Sequence, residues 1–375
     1  MRTLTVALPT PYPVLIGNGA IRQAGALARR HLPPGGQLVV ITSPAVRRHC
    51  SAPLLASLQR AGLRPQVLLM PDGETAKTLA TAGRLSEALA RAGAGRDALI
   101  LALGGGVTGD VAAFVASIYM RGVALIQVPT TVVAMLDSAI GGKTGVNLRA
   151  GKNLVGTFHQ PRAVLADPAL LTTLPEREYR SGLAEALKCA IIADARLFSR
   201  MERQSQRLRR REAAPLTAVL AAAAEIKARV VAADEREGDL RRILNFGHTL
   251  GHALESATRY RAFRHGEAVG WGMIAAARLA AATGRLSSSA AARIEGATLA
   301  LLSPLPPIPA GIDAILRHAQ RDKKVQAGRL NFVLPVAVGQ VEVVSDVPLA
   351  LVRRALAATI ALSRGSSPSS RPARR

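Results

Sequence analysis

Three histidines and one glutamate have the types and spacing that suit a metal site. His248 and His252 in RRILNFGHTLGH are four residues apart, which places both on one face of a helix. His265 begins HGE further along the chain, and Glu185 lies upstream in SGLAEALK. Imidazole and carboxylate are the donors of catalytic zinc sites, in which the metal polarises a hydroxyl or a carbonyl. The spacing leaves open whether both His248 and His252 bind the metal or one of them faces a substrate.

A glycine-rich turn could bind a phosphate group. GGGVTGD, Gly104–Asp110, follows the apolar run Ala98–Leu103, so its backbone could approach an anion at the start of a helix. A tight strand–helix turn without a ligand is the alternative.

A second turn, PDGETAK, also follows a predicted strand. Asp72 and Glu74 could bind ribose hydroxyls there, and Lys77 a phosphate. The alternative is an ordinary turn and helix N-terminus, where acidic residues are favoured.

Lysine is the rare cation of this chain, with seven Lys against 42 Arg. The many Ala and Gly indicate a coding bias that fills exposed positions with arginine. Each lysine is therefore a candidate for a place that needs a compact ammonium group. The seven are Lys77, Lys143, Lys152, Lys188, Lys227, Lys323 and Lys324.

Several of these lysines lie in segments suited to anions. Lys143 in DSAIGGKTGVN and Lys152 in GKN are flanked by glycines, although GxxxxGK[ST] is not matched. Lys227 and the RDKK lysines, with Arg241 and Asn245, could bind a carboxylate or phosphate. A solvated charged face is the alternative for Lys324.

Composition excludes several classes of protein. The chain of 375 residues is 49% hydrophobic and 20% charged, which excludes intrinsic disorder. No run of about 18 uncharged apolar residues could span a bilayer. The N-terminus lacks a signal-peptide core, and two cysteines fit a reducing compartment, so we expect a cytoplasmic protein without a membrane partner.

The net charge of +24 is also typical of a nucleic-acid binder. The most basic run, Arg203–Arg211, has no aromatic side chains between its cations for base stacking. We therefore interpret it as a solvated face and expect no specific nucleic-acid partner.

Hydrophobic patterning predicts an α/β first half and a helical second half. Near-continuous apolar runs predict buried parallel strands, and the intervening periodicity predicts helices at Ala45–Ala61, broken before Pro53, and Ala76–Ala92. The predicted strands are Leu38–Thr42, Val67–Met70, Ala98–Leu103, Val123–Val128 and Val164–Ala166.

Beyond about residue 178, strand signals give way to helical periodicity. Leu330–Val344 reads as a hairpin that turns at Gly339, and the Ser/Pro/Arg-rich segment 363–375 is predicted to be a disordered basic tail. The predicted helices are Ser181–Arg200, Ala213–Asp234, Leu244–Thr258 and Glu267–Thr283.

Taken together in chain order, these segments resemble the 3-dehydroquinate synthase family. The resemblance covers residues 1–360, and the number of motifs in register makes it specific. The motifs are PDGETAK, GGGVTGD, YMRG, QVPTT, DSAIGGKTGVN, GKN, SGLAEALK, ADERE, RRILNFGHTLGH, HGEAV and RDKK.

The resemblance implies a Rossmann-like NAD-binding domain over residues 1–178, with a mainly parallel sheet, and a helical metal- and substrate-binding domain over 179–362. It also implies NAD, zinc or cobalt, and a homodimer. The implied reaction converts 3-deoxy-D-arabino-heptulosonate 7-phosphate into 3-dehydroquinate and phosphate, the second step of the shikimate pathway. NAD oxidises a hydroxyl transiently, phosphate leaves by β-elimination, the hydride returns, and an intramolecular aldol addition closes the ring.

Residue roles follow from the resemblance. It implies metal ligation by Glu185, His248 and His265, with His252 turned toward the substrate phosphate, and it directs Arg121 to the neighbouring subunit's phosphate. Implied NAD contacts are Asp72, Gly73, Glu74, Lys77, Gly106, Val107, Thr108, Gly109, Asp110, Thr130, Thr131, Lys143, Lys152, Leu170, Leu171, Thr172 and Thr173. Implied substrate-contacting and catalytic positions are Asp137, Lys143, Asn153, Lys188, Lys227, Arg241, Asn245, His252 and Lys323.

The chain departs from the family pattern at two positions, with Met135 where Gln is common and Ala139 where Ser is common. Three other functions compete with this interpretation. A sibling cyclase, such as an aminodehydroquinate or deoxyinosose synthase, would share the motifs. A metal-dependent polyol dehydrogenase would not need so many cations, and a nucleic-acid binder would not need His248 or Glu185.

Overall fold

The computed structural model describes residues 1–236, 238, 240–321 and 330–365. They form two compact units, which we call the α/β unit (Met1–Pro175 with Leu216–Glu235) and the helical unit (Glu176–Pro215 with Arg236–Arg375). The functional domains predicted with boundaries at 178 and 362 stay a prediction. Lys323 and Lys324 lie outside the described residues.

The α/β unit contains a seven-stranded sheet in the order β1-β2-β9-β6-β5-β3-β4. Its strands pair in parallel except for the β1–β2 pair, which confirms the predicted, mainly parallel α/β class. A separate hairpin joins β7 to β8. The strands of this unit are β1 Arg2–Val6, β2 Tyr12–Ile16, β3 Leu38–Thr42, β4 Gln66–Leu69, β5 Leu99–Gly104, β6 Ala124–Pro129, β7 Val146–Leu148, β8 Gly151–Val155 and β9 Ala163–Ala166.

The five predicted strands correspond to β3, β4, β5, β6 and β9, each within one residue at its ends. Every residue of β3 and β5 is buried, as expected for central strands covered on both faces. The β1–β2 pair was not predicted, because three prolines at positions 9, 11 and 13 argue against strands there.

The pairing of β5 with β6 aligns two of the predicted motifs. Their register runs from Leu99 opposite Ala124 to Gly104 opposite Pro129. GGGVTGD and PTT therefore emerge side by side at the carboxyl edge of the sheet, where open α/β sheets bind ligands. PDGETAK follows β4 at the same edge, since β4 pairs in parallel with β3 and β3 with β5.

Both units contain α-helices. The α-helices of the described residues are α1 Ala24–His31, α2 Pro44–Arg60, α3 Leu79–Arg91, α4 Gly106–Ile118, α5 Glu176–Ala193, α6 Ala195–Arg203, α7 Ser205–Arg209, α8 Ala213–Ala233, α9 His248–Ala257, α10 His265–Ala282, α11 Ser288–Leu302, α12 Ile312–Arg321 and α13 Leu349–Gly365.

The predicted break before Pro53 is wrong, because α2 continues through this proline. Proline removes one backbone N–H and leaves the carbonyl of His49 without its helical donor. Both His49 and Pro53 lie on the exposed side of α2, where water can bind that carbonyl.

The centre of the helical unit is α10, which packs against α5, α9, α11 and α13. Nearly all of its residues are buried, as expected for a helix that is apolar around its circumference. Trp271 in its middle is fully buried, and its indole N–H donates to the carbonyl of Pro306 at 2.9 Å. α10 therefore provides a rigid base for the residues at its N-terminus.

The predicted helix Ser181–Arg200 is divided in the structure. α5 ends at Ala193, and the Asp194 carboxylate accepts hydrogen bonds from Arg196 N and Leu197 N, both at 2.9 Å, to cap α6. An aspartate at an N-cap stabilises a new helix start, and this outweighed the continuous periodicity.

The end of the described chain contains a hairpin and a helix. β10 (Phe332–Ala337) and β11 (Gln340–Val344) confirm the predicted hairpin, and Gly339 has φ +95° at its turn. α13 runs to Gly365, three residues into the segment predicted as a tail, and Ser363 is buried. Residues 366–375 lie outside the described residues. Among those described, no helix combines the length and the apolar character needed to cross a membrane.

Candidate functional site

The HGE and SGLAEALK motifs are locked together by a close helix contact. A Cβ on Gly266 would lie 1.8 Å from the carbonyl oxygen of Ser181, so only glycine fits. The Gly266 N–H also donates to the Ser181 hydroxyl at 2.8 Å. Since Glu185 lies one turn after Ser181 on α5, this contact brings its carboxylate to the start of α10 beside His265.

Glycines also bring α9 against α10. A Cβ on Gly272 would lie 2.0 Å from the Gly247 carbonyl oxygen, and one on Gly251 would lie 3.1 Å from Val269 Cα. Gly247 itself has φ +76° just before α9, a conformation that favours glycine. The glycines of FGHTLGH are therefore packing requirements that fix where α9 presents its histidines.

The three histidines converge in the helical unit. One ligand nitrogen from each of His248, His252 and His265 lies within 4.8 Å of the others. The ring centroids are 5.2 Å apart for His248–His252 and for His248–His265, and 5.8 Å for His252–His265. The structure therefore brings together residues that the sequence separates by up to 17 positions.

Glu185 is the carboxylate of this cluster and is fully buried. Its Oε1 lies 3.5 Å from His248 Nε2 and 3.4 Å from His265 Nε2, while Lys188 forms an ion pair with Oε2. Among the described residues, neither oxygen accepts a well-oriented hydrogen bond. Burial alone would raise the pKa of Glu185, but Lys188, His248 and His265 hold that pKa well below its ordinary value, so the group stays an anion.

His248 presents a lone pair to the cluster. Its Nδ1 lies 3.0 Å from the Phe246 carbonyl oxygen, to which it donates, so its Nε2 faces Glu185 as an acceptor. Burial is the largest cause that lowers the pKa of His248 well below its ordinary value. A neutral nitrogen and a carboxylate oxygen, both acceptors, therefore face each other at 3.5 Å.

His265 lies between two carboxylates. Its Nδ1 is 3.3 Å from Glu255 Oε2, and its Nε2 is 3.4 Å from Glu185 Oε1. Burial lowers its pKa, but the adjacent carboxylates of Glu185 and Glu255 outweigh this and raise the pKa to about 10. Sequence reasoning missed Glu255, although its position seven residues after His248 and three after His252 places it on the same face of α9.

These groups fit a divalent metal. A cation would resolve the contact between the His248 and Glu185 acceptors and would replace the proton that the raised pKa keeps on His265. In a tetrahedral zinc site with bonds of about 2.1 Å, neighbouring ligand atoms are about 3.4 Å apart. The separations of 3.5 and 3.4 Å around Glu185 Oε1 match that spacing.

Arg241 and Asn245 lie in the same unit, on a 3-10 helix (Leu240–Asn245) just before α9. Arg241 is among the largest fully buried side chains, with 2% exposure. A buried guanidinium so close in sequence to His248 suits an acidic ligand group.

In the α/β unit, the GGGVTGD glycines are required by packing. A Cβ on Gly104 would lie 2.5 Å from Thr108 Cβ, and one on Gly105 would lie 2.9 Å from Thr131 Cγ2. Gly105 caps α4 without a side-chain hydrogen bond, so the first turn of α4, with Gly106, Val107 and Thr108, presents backbone N–H groups at the sheet edge. Thr130 N donates to the Gly104 carbonyl oxygen at 2.9 Å and holds the two loops together.

Lys77 is buried and bound to two polar partners. Its Nζ lies 2.5 Å from Asp110 Oδ2 and 2.5 Å from Asn153 Oδ1. Burial raises the pKa of Asp110 more than Lys77 lowers it. Lys77 is predicted to bind a phosphate, and in the structure it also links PDGETAK, GGGVTGD and GKN.

The other residues of PDGETAK lie nearby. Glu74 Oε1 accepts a hydrogen bond from Asn147 Nδ2 at 2.8 Å, and Asp72 Oδ2 lies 3.4 Å from Ala45 N. Gly73 between them has φ +86°. Both carboxylates are exposed, in keeping with a predicted role toward ribose hydroxyls.

Two further lysines of the glycine-rich segment differ in position. Lys143 forms an isolated bridge with Phe158, and Lys152 is an exposed residue of β8. Asn153 next to it has φ +55°, and its backbone N donates to Asn147 Oδ1 at 2.9 Å. The β7–β8 hairpin therefore positions Asn153 against Lys77.

Lys227 on α8 pairs with Asp137, which lies on a short π-helical turn, Ala134–Ser138. Lys227 was predicted to lie in the helical half, whereas the packing of residues 216–235 groups it with the α/β unit. The remaining predicted NAD contacts, Leu170–Thr173, lie on a 3-10 helix that is capped by Asp167.

Arg121 lines a basic cavity of the α/β unit with a volume of about 730 Å³. It follows α4 in a left-handed conformation, with φ +66°. Asp97 is the one acidic residue among the lining residues, whose cationic and imidazole members are Arg30, His31, Arg96, Arg121, His159 and Arg162.

Family models match both halves of the chain. Residues 67–181 match the model for the 3-dehydroquinate synthase N-terminal domain, and residues 182–325 match the 3-dehydroquinate synthase C-terminal domain. A 3-dehydroquinate synthase of Koribacter versatilis (strain Ellin345) is 50% identical over 336 residues, covering 90% of this chain and 92% of that protein.

Solved structures share the fold. ValA, a 2-epi-5-epi-valiolone synthase from Streptomyces hygroscopicus subsp. jinggangensis 5008 with NAD⁺ and Zn²⁺ bound, is 30% identical with a TM-score of 0.85, covering 94% of this chain and 97% of that one. A 2-deoxy-scyllo-inosose synthase complexed with carbaglucose-6-phosphate, NAD⁺ and Co²⁺ is 27% identical with a TM-score of 0.83, covering 95% and 99%. These likenesses confirm the predicted fold class and the resemblance inferred from the motifs.

Proposed function

This chain belongs to the 3-dehydroquinate synthase family, and we propose which of its residues convert 3-deoxy-D-arabino-heptulosonate 7-phosphate into 3-dehydroquinate and phosphate. The enzyme is a lyase that depends on NAD and a divalent metal. When bound, NAD supplies the transient oxidation of a hydroxyl that acidifies the adjacent C–H, and the metal polarises that hydroxyl oxygen.

The metal ligands in this proposal are Glu185, His248 and His265. The observation that carries it is the fully buried Glu185 carboxylate, whose Oε1 lies 3.5 and 3.4 Å from the two imidazole nitrogens without a hydrogen bond from the described residues. His252 then faces the substrate phosphate. Glu185 stays anionic because Lys188 pairs with it, so Lys188 both supports the metal site and brings a cation to the substrate.

The remaining charged residues bind the two acidic ends of the substrate and the dinucleotide. In the helical unit, Arg241 and Asn245 bind the carboxylate or phosphate, together with Lys323. In the α/β unit, the first turn of α4 binds the pyrophosphate of NAD at its N–H groups. The substrate contacts assigned to that unit are Asp137, Lys143, Asn153 and Lys227, and its NAD contacts are Asp72–Lys77, Gly106–Asp110, Thr130, Thr131, Lys143, Lys152 and Leu170–Thr173.

A homodimer and a cytoplasmic location are also part of the proposal. Arg121 reaches the phosphate bound by the neighbouring subunit, and its place in an arginine-lined cavity supports a contact with an anion. The cation-lined cavity serves a small acidic molecule, so no specific nucleic-acid partner is proposed.

A sibling cyclase is the alternative, and sequence identity argues against it. The Koribacter 3-dehydroquinate synthase is 50% identical to this chain, against 30% and 27% for the valiolone and inosose synthases. Buried Arg241 and the adjacent Asn245 also suit a substrate that carries a carboxylate.

The deciding experiment incubates the purified protein with the heptulosonate phosphate, catalytic NAD and zinc. We expect phosphate and dehydroquinate to form in equal amounts, and Glu185→Gln to abolish both. Glu295→Gln is the matched control. It removes the charge of a carboxylate that pairs with Arg278, not with Lys188 or a histidine of the cluster. An absence of phosphate release, or turnover that survives complete removal of metal, contradicts the proposal. Preferred conversion of an amino-substituted substrate identifies the sibling cyclase instead.

A further inference from the structure

Glu255 is a buried acid that none of the sequence motifs explains. It lies on α9, and its side chain is 7% exposed. Its Oε2 lies 3.3 Å from Nδ1 of His265, which is on the neighbouring helix α10. Glu255 therefore contacts His265 on the side opposite to Glu185, whose Oε1 is 3.4 Å from Nε2.

The position of Glu255 is unfavourable on structural grounds alone. It lies in the last turn of α9, which ends at Ala257, so its negative charge is near the negative end of the helix dipole. A buried carboxylate there destabilises the fold unless a specific donor compensates it. The Nδ1–H of His265 is such a donor.

His248 and His265 are oriented by different means. His248 donates its Nδ1–H to the backbone carbonyl of Phe246 at 3.0 Å. His265 begins a helix and uses the side chain of Glu255 instead. In both rings the outer hydrogen bond at Nδ1 turns Nε2 toward Glu185, which is the arrangement that fixes the tautomer of metal-binding histidines.

We propose that Glu255 is a positioning residue of the metal centre, which holds His265 with Nε2 directed at the cation and strengthens its basicity. This inference rests on the proposed metal site. One face of α9 then carries three functional residues. His248 binds the metal, His252 faces the substrate, and Glu255 orients the ligand His265 of α10.

The test measures zinc affinity by competition with a chromogenic chelator, so its readout does not depend on turnover. Glu255→Ala is expected to weaken zinc binding about 10- to 100-fold, as loss of an outer carboxylate does in other zinc proteins. Glu255→Gln keeps an oxygen that can accept from Nδ1–H and should restore most of the affinity. Glu295→Ala, which removes a carboxylate bound to Arg278, should leave zinc affinity unchanged.

A double-mutant cycle separates positioning from a merely structural role. In a His265→Ala background there is no imidazole to orient, so Glu255→Ala should cause no further loss of zinc affinity. Heteronuclear NMR of the zinc-loaded protein should also detect a proton on Nδ1 of His265, which shifts in Glu255→Gln. If Glu255→Ala fails to fold, the shift of the His265 Nδ1 proton in the isosteric Glu255→Gln variant still tests the proposal.

The outcomes distinguish the two proposals. If His265→Ala leaves zinc affinity unchanged, the metal site itself is wrong. If His265→Ala weakens zinc binding but Glu255→Ala changes it less than twofold, or adds its full effect in the His265→Ala background, the positioning role of Glu255 is overturned while the metal site stands.

Discussion

The imidazoles of the two units have opposite electrostatic surroundings. In the helical unit, His265 lies between the carboxylates of Glu185 and Glu255, which raise its pKa to about 10 against the effect of burial. In the α/β unit, His31 and His159 line a cavity beside arginines. Burial lowers the pKa of both, and Arg162 lowers each further.

The difference indicates two sites for ions of opposite charge. Carboxylates next to imidazoles provide donor atoms and negative charge for a cation. Arginines next to neutral imidazoles concentrate positive potential in a concave surface, which suits an anion. The net charge of +24 conceals this, because it averages an acidic centre with a basic surface.

Removal of the His265 imidazole, which lies between Glu185 and Glu255, should have the largest effect on activity. We expect His265→Ala to lower kcat/KM for the heptulosonate phosphate by on the order of 10³-fold or more, because polarisation by a metal supplies several kcal/mol to the transition state. Steady-state phosphate release measures the change. His318→Ala is the control, since His318 bonds to the Ser256 hydroxyl outside the cluster. Equal activities of the two variants would contradict the assignment.

Removal of the cation beside Glu185 should destabilise the helical unit. Lys188 and Glu185 are 2% and 0% exposed, so Lys188→Ala leaves a buried carboxylate without its ammonium partner. We expect the free energy of unfolding of the metal-free protein to fall by about 3–5 kcal/mol. Urea denaturation measures it, and added zinc should recover part of the loss by replacing the missing positive charge. An unchanged free energy of unfolding would mean that the Lys188–Glu185 ion pair does not stabilise the fold.

A change in the basic cavity should affect substrate binding without affecting the metal. Arg121→Ala removes one charged donor, so we expect KM for the substrate to rise about 10- to 100-fold. Zinc affinity should stay the same. Arg60→Ala, an exposed arginine at the end of α2, controls for net charge and should change KM less than twofold. If both variants change KM by the same factor, the net charge of the protein, and not Arg121 in the cavity, determines substrate binding.

The smallest predicted effect is a difference in pH dependence. Burial and Arg162 hold the pKa of His159 below its ordinary value of 6.5. When the pH is lowered through 6.5, the unfolded chain binds a proton that the folded chain excludes. The free energy of unfolding therefore decreases as the pH decreases. His159→Gln removes this contribution, and the wild type should therefore lose more stability between pH 7.5 and 5.5, by less than about 1.4 kcal/mol for each pH unit.

Thermal unfolding at several pH values measures this difference. A His159→Gln protein that keeps the wild-type slope would contradict the assigned effect of Arg162 and burial on His159.

Much of the fold could be predicted from local patterns. The apolar runs of β3 and β5 predicted their strands because those strands are buried on both faces. Failures arose where a neighbour or solvent decided the outcome. Pro53 lies on an exposed face that tolerates the lost hydrogen bond, and Asp194 caps a new helix within an apparently continuous pattern.

The candidate site was predicted in part. The spacing of His248 and His252 indicated a shared helix face, and the residue types added Glu185 and His265 as candidate donors. The resemblance then selected Glu185, His248 and His265 as the ligands. The spacing of Glu255 from His248 and His252 places it on their helix face, but its partner could not be identified, because His265 is on another helix. The pairing of Lys77 with Asp110 and Asn153 was likewise beyond sequence spacing.

The sequence by itself determined the donor chemistry, the classes of the elements and the family. Residue types and local periodicity carry that information, since they depend on neighbours within a few positions. The tertiary structure alone decided which donors meet: the Gly266–Ser181 and Gly272–Gly247 contacts bring α5, α9 and α10 together, and burial then sets the charge state of each group. These outcomes depend on distances between remote segments and on exclusion of water, which only the folded chain defines.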